Sequence, residues 1–265
     1  MAILADIARC LRSCGLSAPA AIPRASTGYR IVADDASAGD THDGWHDQQV
    51  AQRQHEAYRG LLKAMHAGQP RRDLLAAAQA VHLTGLASPT ILEIGCGSGY
   101  YADALAHLLG QPIRYTGVDY SPAMIELAQA TYPAHAFHVG DATSLALANG
   151  AFDIVLNGAC LMHVRDYAAA IAEARRVARH WCIFHTVPTV RRRATTLLEK
   201  QAYGRPTIEV VFNQAHLRTM LAQAGLIIRH ELASEPYDVS AMLGEPTPCL
   251  TLVCQCIATA KGVAA

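Results

Sequence analysis

From Thr90 onward, short apolar runs alternate with stretches whose apolar residues recur at helical spacing. Strands are expected at Thr90–Ile94, Arg114–Val118, Ala136–Val139, Phe152–Leu156 and Trp181–His185. Helices are expected between them at about Tyr100–Leu109, Pro122–Ala130 and Tyr167–Ala178. Repeated strand–helix alternation implies a parallel sheet covered on both faces, and right-handed crossovers make it doubly wound. Upstream, helical patterns run from about Trp45 to Met65 and from Arg72 to Thr84, with Pro70 between them. The first forty or so residues read as a short amphipathic helix and then a loose tail, Ser17 to Asp40, rich in Ala, Ser, Pro, Gly and Asp. Downstream, Val190 to Tyr203 reads as an inserted helix, and Gln214–Ala224 as a helix ended by Gly225. Leu226–Leu232 and Leu250–Ala258 read as strands with no helix between them, an antiparallel pair at the sheet edge.

Composition changes this picture little. With 265 residues, 51% of them hydrophobic, the chain can bury a sizeable core. Lys plus Arg and Asp plus Glu stand at 22 each, so there is no overall field to draw a polyanion, and nucleic acid is a weak expectation as partner. No apolar run is long enough for a membrane span. Asp6, Arg9 and Arg12 interrupt the N-terminal segment, against a secretory signal, so a cytoplasmic location is expected. The eight cysteines are scattered, several of them in apolar runs, and read as buried free thiols. His42 and His46 share the i,i+4 spacing of metal ligands, but no third ligand with fitting spacing is evident, so no metal is expected.

The strongest chemical signal is Ile91-Leu92-Glu93-Ile94-Gly95-Cys96-Gly97-Ser98-Gly99-Tyr100, a strand running into a glycine-rich turn and then a helix. Such a turn lets a ligand approach backbone without Cβ atoms in the way, and the helix start offers free N–H groups. A dinucleotide fingerprint would be G-x-G-x-x-G. Here the run is G-x-G-x-G, with an acid two residues before the first glycine. That form resembles motif I of the class I S-adenosylmethionine-dependent methyltransferases. The resemblance covers roughly Trp45 to Ala258 and is sharpest over Glu93 to Val164. It implies a Rossmann-like, seven-stranded, mostly parallel sheet with an antiparallel terminal strand. Residues 1–44 would form a helical N-terminal extension, partly flexible, and residues 45–265 the methyltransferase domain. Within that domain, 186–213 would be a substrate-covering insertion.

The resemblance also implies a binding site for S-adenosyl-L-methionine. Glu93 would hold the amino group of the methionine moiety, with Gly95, Cys96, Gly97 and Gly99 forming the turn. Tyr115-Thr116-Gly117-Val118-Asp119 is a strand ending in an acid. A carboxylate there can accept hydrogen bonds from two vicinal ribose hydroxyls; alternatively Asp119 caps the helix that starts at Ser121-Pro122. Tyr120 and Met124 would flank the adenine. Asp141 would face the exocyclic amine, with the Ala142 N–H on a ring nitrogen. Asn157 and Gly158, at the end of the fourth strand, would reach the ligand crevice.

Methyl transfer from a sulfonium needs positioning more than activation, and a base only where the acceptor carries a proton late. His163 is the first candidate base and His185 the second; packing roles are open for both. Gln54 and Tyr58 share a helix face and would close over methionine or acceptor unless they form an ordinary core pair. Acceptor contacts are expected in Thr186–Asn213, from Tyr203 among others. Arg191-Arg192-Arg193 would read an acidic acceptor or line a solvated helix face. The expected partner is a small-molecule acceptor such as a specialised metabolite, with a homodimer left open. The alternatives are a nucleic-acid or protein methyltransferase, or a non-catalytic cofactor-binding protein. Against the first stands Asn157-Gly158-Ala159-Cys160, where amino-methylating nucleic-acid enzymes carry an Asn-Pro-Pro-Tyr-type run.

Overall fold

Strands buried on both faces need apolar side chains pointing both ways, and the central runs supply them. The computed structural model describes residues 26–32, 44–234 and 237–257. In chain order its strands are β1 (Ser26–Ile31), β2 (Thr90–Ile94), β3 (Arg114–Asp119), β4 (Ala136–Val139), β5 (Phe152–Gly158), β6 (Ala178–Val190), β7 (Thr196–Ala202), β8 (Arg205–Asn213), β9 (Leu226–Ala233) and β10 (Cys249–Cys256). The helices are α1 (Gln48–His66), α2 (Arg72–Leu83), α3 (Tyr100–Leu109), α4 (Pro122–Thr131), α5 (Tyr167–Val177), α6 (Gln214–Gln223) and α7 (Ser240–Leu243), with 3-10 turns at Gly44–His46 and Leu161–His163.

β4, β3, β2, β5 and β6 lie side by side in parallel. β10 runs antiparallel between β6 and β9, so the terminal strand is the one that opposes the row. This is the mostly parallel sheet with an antiparallel terminal strand that the resemblance implied. Side chains alternate as the pleat demands. Leu92, Ile94 and Val155 face α5 and α6 in one apolar cluster. Ile91, Ile154 and Leu156 face α2 and α3 in another. Each such side chain contributes about 1.5–3 kcal/mol by leaving water.

The sheet is larger than seven strands. β6 continues past His185, and its tip pairs in parallel with β8 through Thr189↔Phe212 and Val190↔Asn213. β8 forms a hairpin with β7, and β1 pairs antiparallel with β7, making a 10-stranded sheet among the described residues. Two expectations are corrected here. The segment Val190–Tyr203 is the end of β6, a short loop and the first strand of a hairpin, not a helix. Leu197, Leu198, Glu199, Lys200 and Gln201 are good helix formers, but pairing with Ile208, Glu209 and Val210 overrides that weak preference. The decisive local feature is Tyr203-Gly204, with φ of 51° and 88°. Two successive left-handed residues make a two-residue turn of the primed type, which fits strand twist. The loose tail is corrected as well, because Ser26–Ile31 is a strand. The helix expected at the start of the chain lies outside the described residues.

Candidate active site

A cavity of about 990 Å³ opens where β2, β3 and β5 end. That is the crevice where wound parallel sheets bind ligands, and it is at the upper end of small-molecule site volumes. Its floor is the glycine turn. The N–H groups of Gly95 and Cys96 donate to the Val118 carbonyl at 2.8 and 3.1 Å, tying the turn to β3. Gly97 has φ of 52°, and a Cβ on it would lie 2.8 Å from Gln54 Oε1. Thus α1 covers the turn. Gln54 and Tyr58 line the cavity, and Tyr58 stacks on Tyr100 with ring centroids 3.7 Å apart.

Asp119 stands at the centre. Its Oδ2 accepts the Gly97 N–H at 2.8 Å and its Oδ1 the Ser121 N–H at 2.9 Å. It is 8% exposed and lines the cavity. Burial pushes its carboxyl up, against the pull of the Ser121 and Gly97 N–H groups. A carboxylate has about four acceptor positions, so two remain for a diol. Tyr120 and Met124 line the same wall, with the His46 ring 4.3 Å from that of Tyr120. Asp141 and Ala142 also line it; Asp141 Oδ1 accepts the Thr143 N–H and hydroxyl, both at 2.8 Å.

Other expected site residues sit behind the wall. Gly99 caps α3, and Cys96 is buried beneath the turn. Asn157 Oδ1 accepts the Leu161 N–H at 2.7 Å, so this side chain shapes the loop, while its neighbour Gly158 lines the cavity. Glu93 departs most from its implied role. It is fully buried, its Oε2 accepts the Tyr115 hydroxyl, and its Oε1 has no partner. That oxygen lies beneath Gly158, 2.0 Å from where a Cβ would stand, and Glu93 does not line the cavity. Burial pushes its carboxyl well up. The physical reason is register. Glu93 pairs with Gly117, and the empty place there lets the carboxyl reach Tyr115, two residues back on the same face.

The two histidines separate. His163 lines the cavity, and its Nδ1 is 2.6 Å from the Ile208 carbonyl. A carbonyl only accepts, so Nδ1 carries the proton and Nε2 the lone pair. Burial, helped by the Lys200 charge, lowers its pKa to about 4. His185 is corrected as a candidate base. It is buried away from the cavity, edge-on to Tyr101 at 5.6 Å, with Nδ1 2.7 Å from Thr251 Oγ1. Burial lowers it to about 4 as well. A histidine depressed in the fold contributes stability that is present above its ordinary pKa of 6.5 and is lost as pH falls toward 4. Between pH 7 and 5, wild type is therefore expected to lose about 1–2 kcal/mol more than His185→Gln, measured by urea unfolding at each pH. Parallel pH profiles for the two proteins would show that His185 is not held neutral.

Sequence reasoning missed part of the wall. Lys200 lines the cavity from β7 and is nearly buried, paired with Glu209 on β8, whose other oxygen accepts the Tyr237 hydroxyl. Burial would raise Glu209, but the Lys200 charge holds it below the usual carboxylate range. Trp45 and Tyr203 complete this side, with ring centroids 6.1 Å apart. The signal available was the period-2 alternation across the Tyr203-Gly204 turn. The three arginines are exposed and off the cavity; their backbone N–H groups donate to the Glu245 carboxylate at 2.7–3.2 Å. His42 lies outside the described residues. Among the described residues, no group of three or more His, Cys, Asp or Glu side chains is placed to hold a metal, and no helix is long and apolar enough to cross a membrane.

A wound sheet with a glycine-rich turn and an acid at the end of the next strand is an arrangement suited to holding a ligand with a diol. Residues 92–184 match the family model described as "Methyltransferase domain". The chain is 30% identical over 142 residues to a protein of Mycolicibacterium smegmatis named a probable S-adenosylmethionine-dependent methyltransferase, covering 54% of this chain and 53% of that one. It is 36% identical over 100 residues to the phthiotriol/phenolphthiotriol dimycocerosates methyltransferase of Mycobacterium leprae, covering 36% and 37%. The chain thus spans about half or less of these relatives' length. Among solved structures, the Burkholderia thailandensis 1,6-didemethyltoxoflavin-N1-methyltransferase superposes with a TM-score of 0.57 at 18% identity, over 89% of this chain and 98% of that one. At that identity the likeness is one of fold.

Proposed function

We propose that the chain is an S-adenosylmethionine-dependent methyltransferase acting on a small-molecule acceptor. The observation that carries this reading is Asp119, a nearly buried carboxylate on the cavity wall, tied to a turn that presents bare backbone. A carboxylate so placed suits a ribose diol, and a closed glycine turn under Gln54 leaves little place for a pyrophosphate. Tyr120 and Met124 would flank the base, with Asp141 and the Ala142 N–H on its edge. Gly95, Gly97 and Gly158 would line the methionine arm, and Glu93 supports that wall from behind.

The bound sulfonium supplies an already activated methyl group. The chain's share is to hold the acceptor in line, exclude water and, for a protonated acceptor, take a proton. His163 Nε2 is the group we assign to that last task, because its tautomer is fixed and it lines the cavity. The β7–β8 hairpin closes the acceptor side, the part played by the expected insertion at 186–213. A small acceptor agrees with the Burkholderia protein, whose structure holds 1,6-didemethyltoxoflavin and S-adenosylhomocysteine together.

Calorimetry tests the cofactor. S-adenosylmethionine and S-adenosylhomocysteine are expected to bind, and NADH is not; uptake of NADH alone overturns the reading. A screen of small acceptors with isotopically labelled methyl donor then separates an enzyme from a protein that only holds the nucleoside.

A further inference from the structure

We propose that the part of the cavity walled by the β7–β8 hairpin and the two 3-10 turns takes a flat ring bearing a hydrogen-bond-accepting oxygen, held between Trp45 Nε1 and Lys200 Nζ. This rests on the methyltransferase reading and names the acceptor class. The walls are flat and aromatic. The Trp45 ring lies 5.1 Å from His163 and 6.1 Å from Tyr203, with Met162 and Ile208 as apolar neighbours on the lining. Such faces favour stacked or edge-on rings over branched chains.

Polar groups then choose the ring. Trp45 Nε1 is buried with no hydrogen-bond partner. A buried N–H left so is unfavourable until something accepts from it, and a ligand oxygen can. Lys200 is buried yet lines the cavity. An ammonium carries three protons. Glu209 takes one, and the Tyr29 ring lies 5.9 Å from Nζ, which leaves a donor for a ligand. His163 Nε2 adds an acceptor, since Nδ1 is committed to Ile208. Two donors and one acceptor complement a ring oxygen next to an O–H or N–H. They also exclude a cationic amine. Lys200 repels it, and Glu209 stands behind that lysine with its second oxygen on Tyr237.

The test uses two probes with the same ring system on protein saturated with S-adenosylhomocysteine. 2-Methoxy-1,4-naphthoquinone offers neutral oxygen acceptors, and 1-naphthylmethylamine offers a cation. By calorimetry the quinone is expected to bind about tenfold or more tightly than the amine. Trp45→Phe keeps a ring and removes the N–H, and is expected to weaken the quinone about three- to tenfold. Lys200→Met combined with Glu209→Gln leaves no buried charge unpaired and is expected to erase the preference between probes. Equal binding of the two probes, unchanged quinone affinity in both variants, or no quinone uptake overturns the proposal. A protein that ignores S-adenosylhomocysteine overturns it together with the cofactor reading, and titrating that compound alone tells the two failures apart.

Discussion

Replacing Asp119 by alanine is expected to weaken S-adenosylhomocysteine binding by about 1.5–3 kcal/mol, roughly 10- to 100-fold. The range is that of hydrogen bonds to a charged group. Two features of Asp119 put it there. It is nearly buried, so its bonds to a ligand are little shared with water, and it lines the cavity with lone pairs beyond those given to Gly97 and Ser121. The variant should still fold. Burial already raises the Asp119 carboxyl, a sign that the charge is not placed there to stabilise the empty protein. Asp119→Asn separates two contributions. It keeps one oxygen for the Gly97 or Ser121 N–H but turns an amide donor against the other and toward the diol, so it should fold with some loss of stability and still bind weakly. Calorimetric affinity equal to wild type in a folded Asp119→Ala protein would remove the ribose role.

The parts of this site legible in the sequence are those fixed by local backbone. A strand, a glycine turn and a helix follow from Thr90 to Leu109 because short-range pattern and turn chemistry agree there, and the structure repeats those bounds. Asp119 was legible for the same reason, since the end of a parallel strand always faces the crevice. Glu93 was not. Its face is set by the pleat, but its direction depends on Gly117 and Tyr115 in the neighbouring strand, which spacing along one segment does not reveal. His185 and His163 look alike in sequence, each following an apolar run. Only packing tells them apart, one against Tyr101 and the other on the cavity. The hairpin was the largest loss. Leu197 to Gln201 prefer helix locally, and the partner strand that overrules them lies beyond a turn whose tyrosine is an unusual left-handed residue. With it went Lys200 and Glu209, whose pairing across β7 and β8 exists only once the register is set.

Gly95→Ala should be the most damaging single methyl that can be added at the turn. Gly95 has φ of 73°, and the added Cβ would stand 2.2 Å from Cys160 Cβ and 2.6 Å from its Sγ. The left-handed backbone alone costs an L residue about 1–2 kcal/mol. Forcing a methyl into packed surroundings adds about 1–3 kcal/mol. Relief has to come from the loop that carries Cys160, which Asn157 holds through the Leu161 N–H. The sum, about 2–5 kcal/mol, corresponds to a fall of roughly 5–15 °C in melting temperature for a domain of this size. Gly68→Ala isolates the backbone part, because Gly68 has φ of 84° but nothing within 4 Å of a Cβ. Its melting temperature should drop by only a few degrees. If calorimetric melting gave the two variants the same loss, the close approach of Cys160 to the turn would be wrong, and with it the seat of the methionine arm.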